Sequence, residues 1–216
     1  MPSEQEIINS INANPGSGYM PGGDPDKKDQ NYSKTSEVLA FVWETVKIII
    51  ISLAIILPIR YYLIQPFFVK GASMETNFHD GDYILIDEIS YRLDAPTRGD
   101  VIVFRYPENP SQFFIKRIIG LPGETIEIKD SKVTVYNTEF PKGLLLKEYY
   151  LSPTQQTLGN FSVKMNGDEY YVLGDNRLQS SDSRIWGKLN KSFITGRAFV
   201  RLWPFNKLTK IPSVDY

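Results

Sequence analysis

The chain has 216 residues, 42% of them hydrophobic, with a formal net charge of -1 and a pI near 5.9. That is enough apolar material for a core, and the balanced charge gives no global electrostatic reason to expect nucleic acid, so no such partner is expected. Cysteine is absent and histidine occurs once, at His79, so thiol nucleophiles and Cys/His zinc sites are excluded, and a Ser-His-Asp triad would have to use His79.

Residues 1–35 carry Asn14-Pro15-Gly16-Ser17-Gly18 and Pro21-Gly22-Gly23-Asp24-Pro25-Asp26, with few aliphatic residues after Ile11. Such a stretch cannot bury enough apolar area to offset its ordering entropy, so a flexible polar tail is expected. It has no arginine, which argues against a transit peptide.

Composition changes abruptly at Val38, and residues 48–59 run without a charge. Twelve helical residues cover roughly 18 Å, less than the roughly 30 Å of a hydrocarbon core. The flanks supply the rest. Glu44 and Lys47 can pair at i,i+3, Lys47 and Arg60 can snorkel, and aromatics bracket the run at Phe41 and Trp43 and again at Tyr61, Tyr62, Phe67 and Phe68. The apolar run has no polar face, unlike a helix on the surface of a soluble domain. A single membrane span is therefore expected over 36–65. Lys27, Lys28, Lys34 and Lys47 precede it, against Arg60 and Lys70 after it, so the tail is expected in the cytoplasm and the remainder on the outer face of the cell membrane. The run starts too far from Met1, and lacks a following small-x-small site, for a cleaved signal peptide.

From residue 66 to 216 the pattern is strands and turns. Residues 83–87, 101–106, 113–119, 125–128, 132–136, 170–173 and 196–203 are short and rich in β-branched or aromatic side chains, bounded by Gly, Pro, Asp or Asn. A mainly β domain is expected, antiparallel or mixed, as a sandwich or a barrel-like sheet, with a helical turn or two around 88–93. Residues 139–165 are irregular and are expected to form a flap or small subdomain. His79, in Asn77-Phe78-His79-Asp80-Gly81-Asp82, reads as a solvated turn residue.

Three stretches suggest chemistry. Ser73 sits in the small-residue turn Val69-Lys70-Gly71-Ala72-Ser73-Met74; Lys116 sits in the apolar run Phe114-Ile115-Lys116-Arg117-Ile118-Ile119; and a dense polar loop occupies 174–187. A serine hydroxyl needs a positioned base, and with histidine nearly absent a lysine can serve if apolar burial lowers its pKa. Lys116 shares its strand face with Phe114 and Ile118. Alternatively it lies on an edge strand with its ammonium in water.

Together with the stretches 98–104, 114–124 and 196–204, in this order after one apolar anchor, these residues closely resemble bacterial type I signal peptidases, membrane-bound Ser-Lys proteases, from about residue 44 to 205. The resemblance implies Ser73 as nucleophile, with its own N–H binding the oxyanion, and Lys116 as base for acylation and deacylation. It implies Ser180 as the residue that hydrogen-bonds and orients the lysine, with Asp182 and Arg184 bracing the loop. Signal peptides of exported preproteins are the implied partners, lying extended between residues 67–71 and 113–115. Val69, Gly71, Met74, Phe114 and Ile115 are the substrate-binding candidates. No cofactor or metal is implied, and the lipid bilayer and a monomeric state are expected. The aromatics near 61–68 would seat the domain on the membrane, unless they pack in the core. For Asp175, Asn176 and Asp182, self-hydrogen-bonded turns are expected rather than direct chemistry, and Arg117 and Arg184 are expected as ion-pairing braces.

Three departures stand out. Gly71 replaces a Ser or Thr that donates to the oxyanion in many relatives, Thr76 replaces a proline, and Leu178 replaces an acidic residue seen in some. Losing one oxyanion donor costs roughly 2.7 to 4 kcal/mol of barrier. Two rival readings stay open: a membrane-tethered β domain that binds extended peptides without cutting them, and another Ser-Lys protease of the self-cleaving repressor kind.

Overall fold

The computed structural model describes residues 26–58, 64–75, 77–214 and 216. Arg60, Tyr61, Tyr62 and Thr76, and most of the expected tail, lie outside them. The chain divides near Ala54 into two compact units.

Helix α1 spans Asp26–Pro58. It includes ten residues before the boundary expected at 36, so the end of the expected tail is helical; the expected stretch 59–63 lies outside the described residues. Within it Lys34–Pro58 has a mean hydropathy of 2.2, and none of that window is buried. Twenty-five helical residues are about 37 Å long, more than a hydrocarbon core needs. The expected Glu44–Lys47 pair forms, at 3.7 Å.

The second unit is built almost wholly from antiparallel strands. They are β1 (Ile64–Phe68), β2 (Tyr83–Asp87), β3 (Val101–Tyr106), β4 (Asn109–Gly120), β5 (Thr125–Lys129), β6 (Lys132–Tyr136), β7 (Leu144–Leu145), β8 (Phe161–Lys164), β9 (Glu169–Leu173), β10 (Leu189–Asn190), β11 (Ile194–Trp203) and β12 (Thr209–Lys210). Two single-turn helices join them, α2 (Ser90–Leu93) and α3 (Ser183–Trp186). The large sheet runs β1-β2-β11-β3-β4-β9-β10, with β12 on β11, and the small sheet runs β7-β6-β5-β8. Residues 139–165 thus do not stand apart. They supply both edges, β7 and β8, of a sheet whose centre is the hairpin β5–β6.

Alternation explains the layering. In β3, Val101 and Val103 join a core cluster with Ile84, Ile86 and Ile115, while Ile102 and Phe104 join another with Ile118, Tyr170 and Val172. A third cluster, including Ile119, Ile126, Val135 and Tyr171, ties the two sheets together. β11 shifts register three times against its two neighbours β2 and β3, and such bulges bend a sheet. The bending is sufficient to bring Phe67 of β1 within 5.2 Å of Phe113 of β4, ring to ring, although three strands separate them in the sheet order. A cleft remains between β1 and this part of β4, which precedes the residues paired with β9.

Candidate active site

Ser73 stands at one end of that cleft because the chain turns sharply after β1. Val69 prolongs the β1–β2 ladder with two backbone bonds, Val69 N to Asp82 O and Gly81 N to Val69 O, both 2.9 Å. Gly71 then takes φ +85°, a region that suits glycine, and its N–H donates to Asp80 Oδ1 at 2.7 Å. The strand expected over 67–71 therefore ends at Phe68 and gives way to a turn. Below Ser73, Met74 is buried in the core with Phe78 and Val103. It supports the turn from beneath and does not line the cleft, contrary to its expected place in the substrate pocket.

Lys116 is on β4, between β3 and β9 in the sheet order, and is 3% exposed. The edge-strand alternative is thus excluded. Its Nζ donates to Ser73 Oγ at 2.8 Å and to Ile115 O at 2.9 Å, and lies 5.2 Å from the centre of the Phe114 ring. Burial lowers its pKa from 10.5 to about 8, against the opposing pull of Asp182 and Asp175. Both carboxylates are already engaged. Asp175 accepts from Arg117 Nε at 2.9 Å and Nη2 at 2.7 Å and from Asn77 Nδ2 at 2.8 Å. Asp182 accepts from Arg184 Nε and Nη2, both 2.8 Å, and from Gly174 N at 3.0 Å.

The polar loop wraps the back of the serine turn. Asn176 N donates to Ser73 O, and Asn176 Nδ2 to Ala72 O, each at 3.0 Å. Gly174 lies so close that a Cβ there would come within 2.1 Å of Ser180 Oγ and 2.4 Å of Ser73 O. Of the three residues expected to bond within their own turn, only Asp182 does so, capping α3 through the Arg184 N–H; Asp175 and Asn176 reach across the fold. Ser180 is buried beside Gly174, but its hydroxyl has no hydrogen-bond partner among the described residues, and the hydrogen bond to Lys116 expected of it is not made. His79 is exposed in its turn, as expected.

The cleft has a volume of about 780 Å³ and is lined by Val69, Gly71, Phe114 and Ile115, all expected, together with Ser73 and Lys116. It also takes in Ile84 and Val103, Phe67 and Phe68, and the loop residues Gln179 and Ser181. Ile84 and Val103 carried no signal beyond that of ordinary core positions. Gln179 and Ser181 lay in the polar loop without a feature to separate them from their neighbours. Among the described residues no cluster of His, Asp and Glu is arranged to hold a metal ion.

The family model described as "Signal peptidase, peptidase S26" matches residues 42–203. A signal peptidase I of Leptolyngbya laminosa is 38% identical over 182 residues, covering 80% of this chain and 86% of that protein. Signal peptidase I T of Bacillus subtilis (strain 168) is 31% identical over 194 residues, covering 85% of this chain and 97% of its own. A crystal structure of a signal peptidase I from Enterococcus faecalis V583 matches 48% of this chain and 97% of its own at 32% identity, with a TM-score of 0.41. With three quarters of its length matched by that model, this chain is a peptidase of the signal peptidase family S26.

Proposed function

We propose that the chain removes signal peptides from exported preproteins as a membrane-tethered serine endopeptidase, with Ser73 as nucleophile and Lys116 as general base. The observation that carries this reading is the 2.8 Å contact between Nζ and Oγ, in a cleft flanked by β1 and by the part of β4 that precedes its pairing with β9. Once Lys116 is neutral, an amine N–H still donates to Ile115 O, and the nitrogen lone pair faces the serine hydroxyl. Ser73 Oγ then attacks the scissile carbonyl as its proton passes to Nζ. The ammonium so formed returns a proton to the leaving amine, leaving an acyl-enzyme. A water takes the amine's place and attacks the ester as its proton passes to Nζ; as the acid leaves, Nζ returns that proton to Ser73 Oγ, restoring the hydroxyl and the neutral amine. The oxyanion is met by the Ser73 N–H; Gly71 N–H is committed to Asp80 and cannot help.

The substrate would lie extended between β1 and residues 113–115 of β4, pairing with their edges in the manner of an added strand. Asp182, paired with Arg184, holds the loop behind the pair, and Ser180 fills the space beside it. All these residues come from one chain, so a monomer suffices. The helix α1 would anchor the protein, with the tail in the cytoplasm and the β unit on the outer face, as the lysines before the apolar run favour. Phe68 (65% exposed) and Trp203 flank Tyr83 in the sheet, and Phe205 (76% exposed) packs on Trp203. This aromatic edge suits a lipid surface, where a tethered signal peptide presents its cleavage site.

The test is incubation of the full chain, in detergent or vesicles, with a preprotein. Wild type is expected to release the mature product. Ser73→Ala and Lys116→Ala are each expected to lower turnover by roughly 10⁴-fold or more while retaining a wild-type thermal transition. Wild-type turnover by either variant would overturn the pair. A preprotein left intact by folded wild type would point instead to a β domain that binds extended peptides.

A further inference from the structure

A second buried polar cluster lies behind the loop and does not line the cleft. At its centre is Arg177, whose side chain has no exposed surface. A guanidinium has five N–H donors and cannot be deprotonated, and here all five are used. Nε donates to Gly174 O at 3.0 Å. Nη1 donates to Glu148 Oε2 at 2.9 Å and to Thr157 Oγ1. Nη2 donates to Glu148 Oε1 and to Tyr150 Oη, the latter at 3.0 Å. Four of the five acceptors thus come from residues 148–157, a stretch in which the sequence suggested no chemistry.

The fifth acceptor links the cluster to the reaction. Gly174 is the residue pressed against Ser73 O and Ser180 Oγ. Its carbonyl is held by Arg177 and its N–H by Asp182. The same stretch grips the site twice more. Asn77 Nδ2, in the turn after Ser73, donates to Tyr150 O at 3.1 Å. Gln155 accepts from Leu178 N and donates to Asn176 Oδ1, both at 3.3 Å, and Asn176 in turn holds Ser73 O.

We propose that Glu148, assisted by Tyr150, is a positioning residue for the Ser73–Lys116 pair, acting through Arg177 to fix Gly174 against the main chain of Ser73. The inference rests on the peptidase reading above. An amide at position 148 would turn N–H groups toward N–H groups and leave the Arg177 charge uncompensated, so Arg177 must shift and Gly174 with it. None of Glu148, Tyr150, Thr157 and Arg177 touches the cleft, so substrate binding is spared.

The experiment uses the full chain with a preprotein substrate, measuring kcat, KM, the pH dependence of kcat/KM and the thermal transition. Glu148→Gln is expected to lower kcat about 100-fold, the loss that a misplacement of about 1 Å produces, with KM within about twofold. Its pH profile is expected to move to the alkaline side. Burial is what lowers the Lys116 pKa, while Asp182 and Asp175, the carboxylates acting on it, raise it; water admitted by a loosened Gly174–Ser180 wall weakens the burial effect. Glu148→Asp keeps the charge and is expected to recover kcat to within about tenfold. Tyr149→Ala, at a neighbouring side chain on a residue that is 82% exposed, is expected to change nothing. If Glu148→Gln does not fold, Tyr150→Phe removes one acceptor and is expected to lower kcat three- to tenfold with the same alkaline shift. A folded Glu148→Gln or Tyr150→Phe with wild-type kcat and pH midpoint overturns the proposal, as does a rate loss that only follows the folded fraction. A preprotein uncut by wild type overturns the peptidase reading and this one with it.

Discussion

Lys116 and Arg117 are neighbours on β4, each 3% exposed, yet their electrostatic surroundings are opposite. Successive side chains on a strand point to opposite faces. Arg117 meets a full partner: Asp175 binds it through two nitrogens, Gly99 O accepts a third bond at 2.7 Å, and the Tyr150 ring lies 4.2 Å from its guanidinium carbon. Those bonds outweigh its desolvation and hold its pKa above the ordinary arginine value. Lys116 meets a hydroxyl, a carbonyl and a phenyl ring, and burial prevails. Equal burial therefore leaves one cation permanently charged and the other ready to lose its proton. The decisive difference is a carboxylate in direct contact.

Breaking the Arg117 side should have the largest effect. Asp175→Asn leaves a guanidinium buried without its counter-charge, and a loss of about 3 to 5 kcal/mol in stability is expected by denaturant unfolding. The same change removes one of the two charges that raise the Lys116 pKa, so in the surviving folded fraction the activity profile should move to the acid side. Breaking the Lys116 side should do the reverse. With an ordinary value of 10.5 and a folded value of about 8, the unfolded chain holds this proton more tightly than the folded one. The folded state thus carries the full cost of a buried ammonium below pH 8, and the cost disappears as pH rises through 10.5. Lys116→Met is expected to be more stable than wild type by about 3 kcal/mol at pH 6, with the gap closing above pH 10.5, as thermal or denaturant melts at the two pH values would register. A constant gap would show that packing, not charge, was at issue. The smallest change is within the wild type. kcat/KM should rise about tenfold per unit of pH below a midpoint near 8 and then level off, because only the neutral amine can accept the serine proton. A profile flat across that range would remove Lys116 from the role of base.

The strands were legible because their side chains alternate. β2, β5 and β6 in particular are alternating runs bounded by turn residues, and they occur within a residue of where that pattern puts them. β4 extends four residues before the expected Phe113, over Asn109, Pro110, Ser111 and Gln112. Those four residues have no strand composition of their own; they are extended because the β3–β4 hairpin closes with Tyr106 opposite Asn109. The start of α1 was missed for a related reason, since a polar segment attached to a long apolar helix can continue it at one backbone hydrogen bond per added residue, the costly nucleus being already formed. Within the site, neither Ser73 nor Lys116 stood out alone; the small-residue turn and the apolar run drew notice only through the resemblance carried by the ordered stretches around them, and the structure brings the two side chains to 2.8 Å. Met74 was not placed correctly, because nothing in a turn sequence tells whether the residue after a serine faces the cleft or the core. Glu148, Tyr150 and Thr157 left no trace, since a buried guanidinium can recruit acceptors from any distance along the chain.

The amino-acid sequence alone determined the periodicities that make strands, the apolar length that can cross a bilayer, and a supply of bases for Ser73 in which histidine is limited to His79 and cysteine is absent. Those are properties of short windows, set by side-chain shape and transfer into an apolar phase. Only the tertiary structure decided that Lys116 would be enclosed without a carboxylate in contact while Arg117 received one, and that residues 148–157 would hold the loop behind the serine. Desolvation and ion pairing depend on what the folded chain brings within a few ångströms, and that proximity is not written in any one stretch.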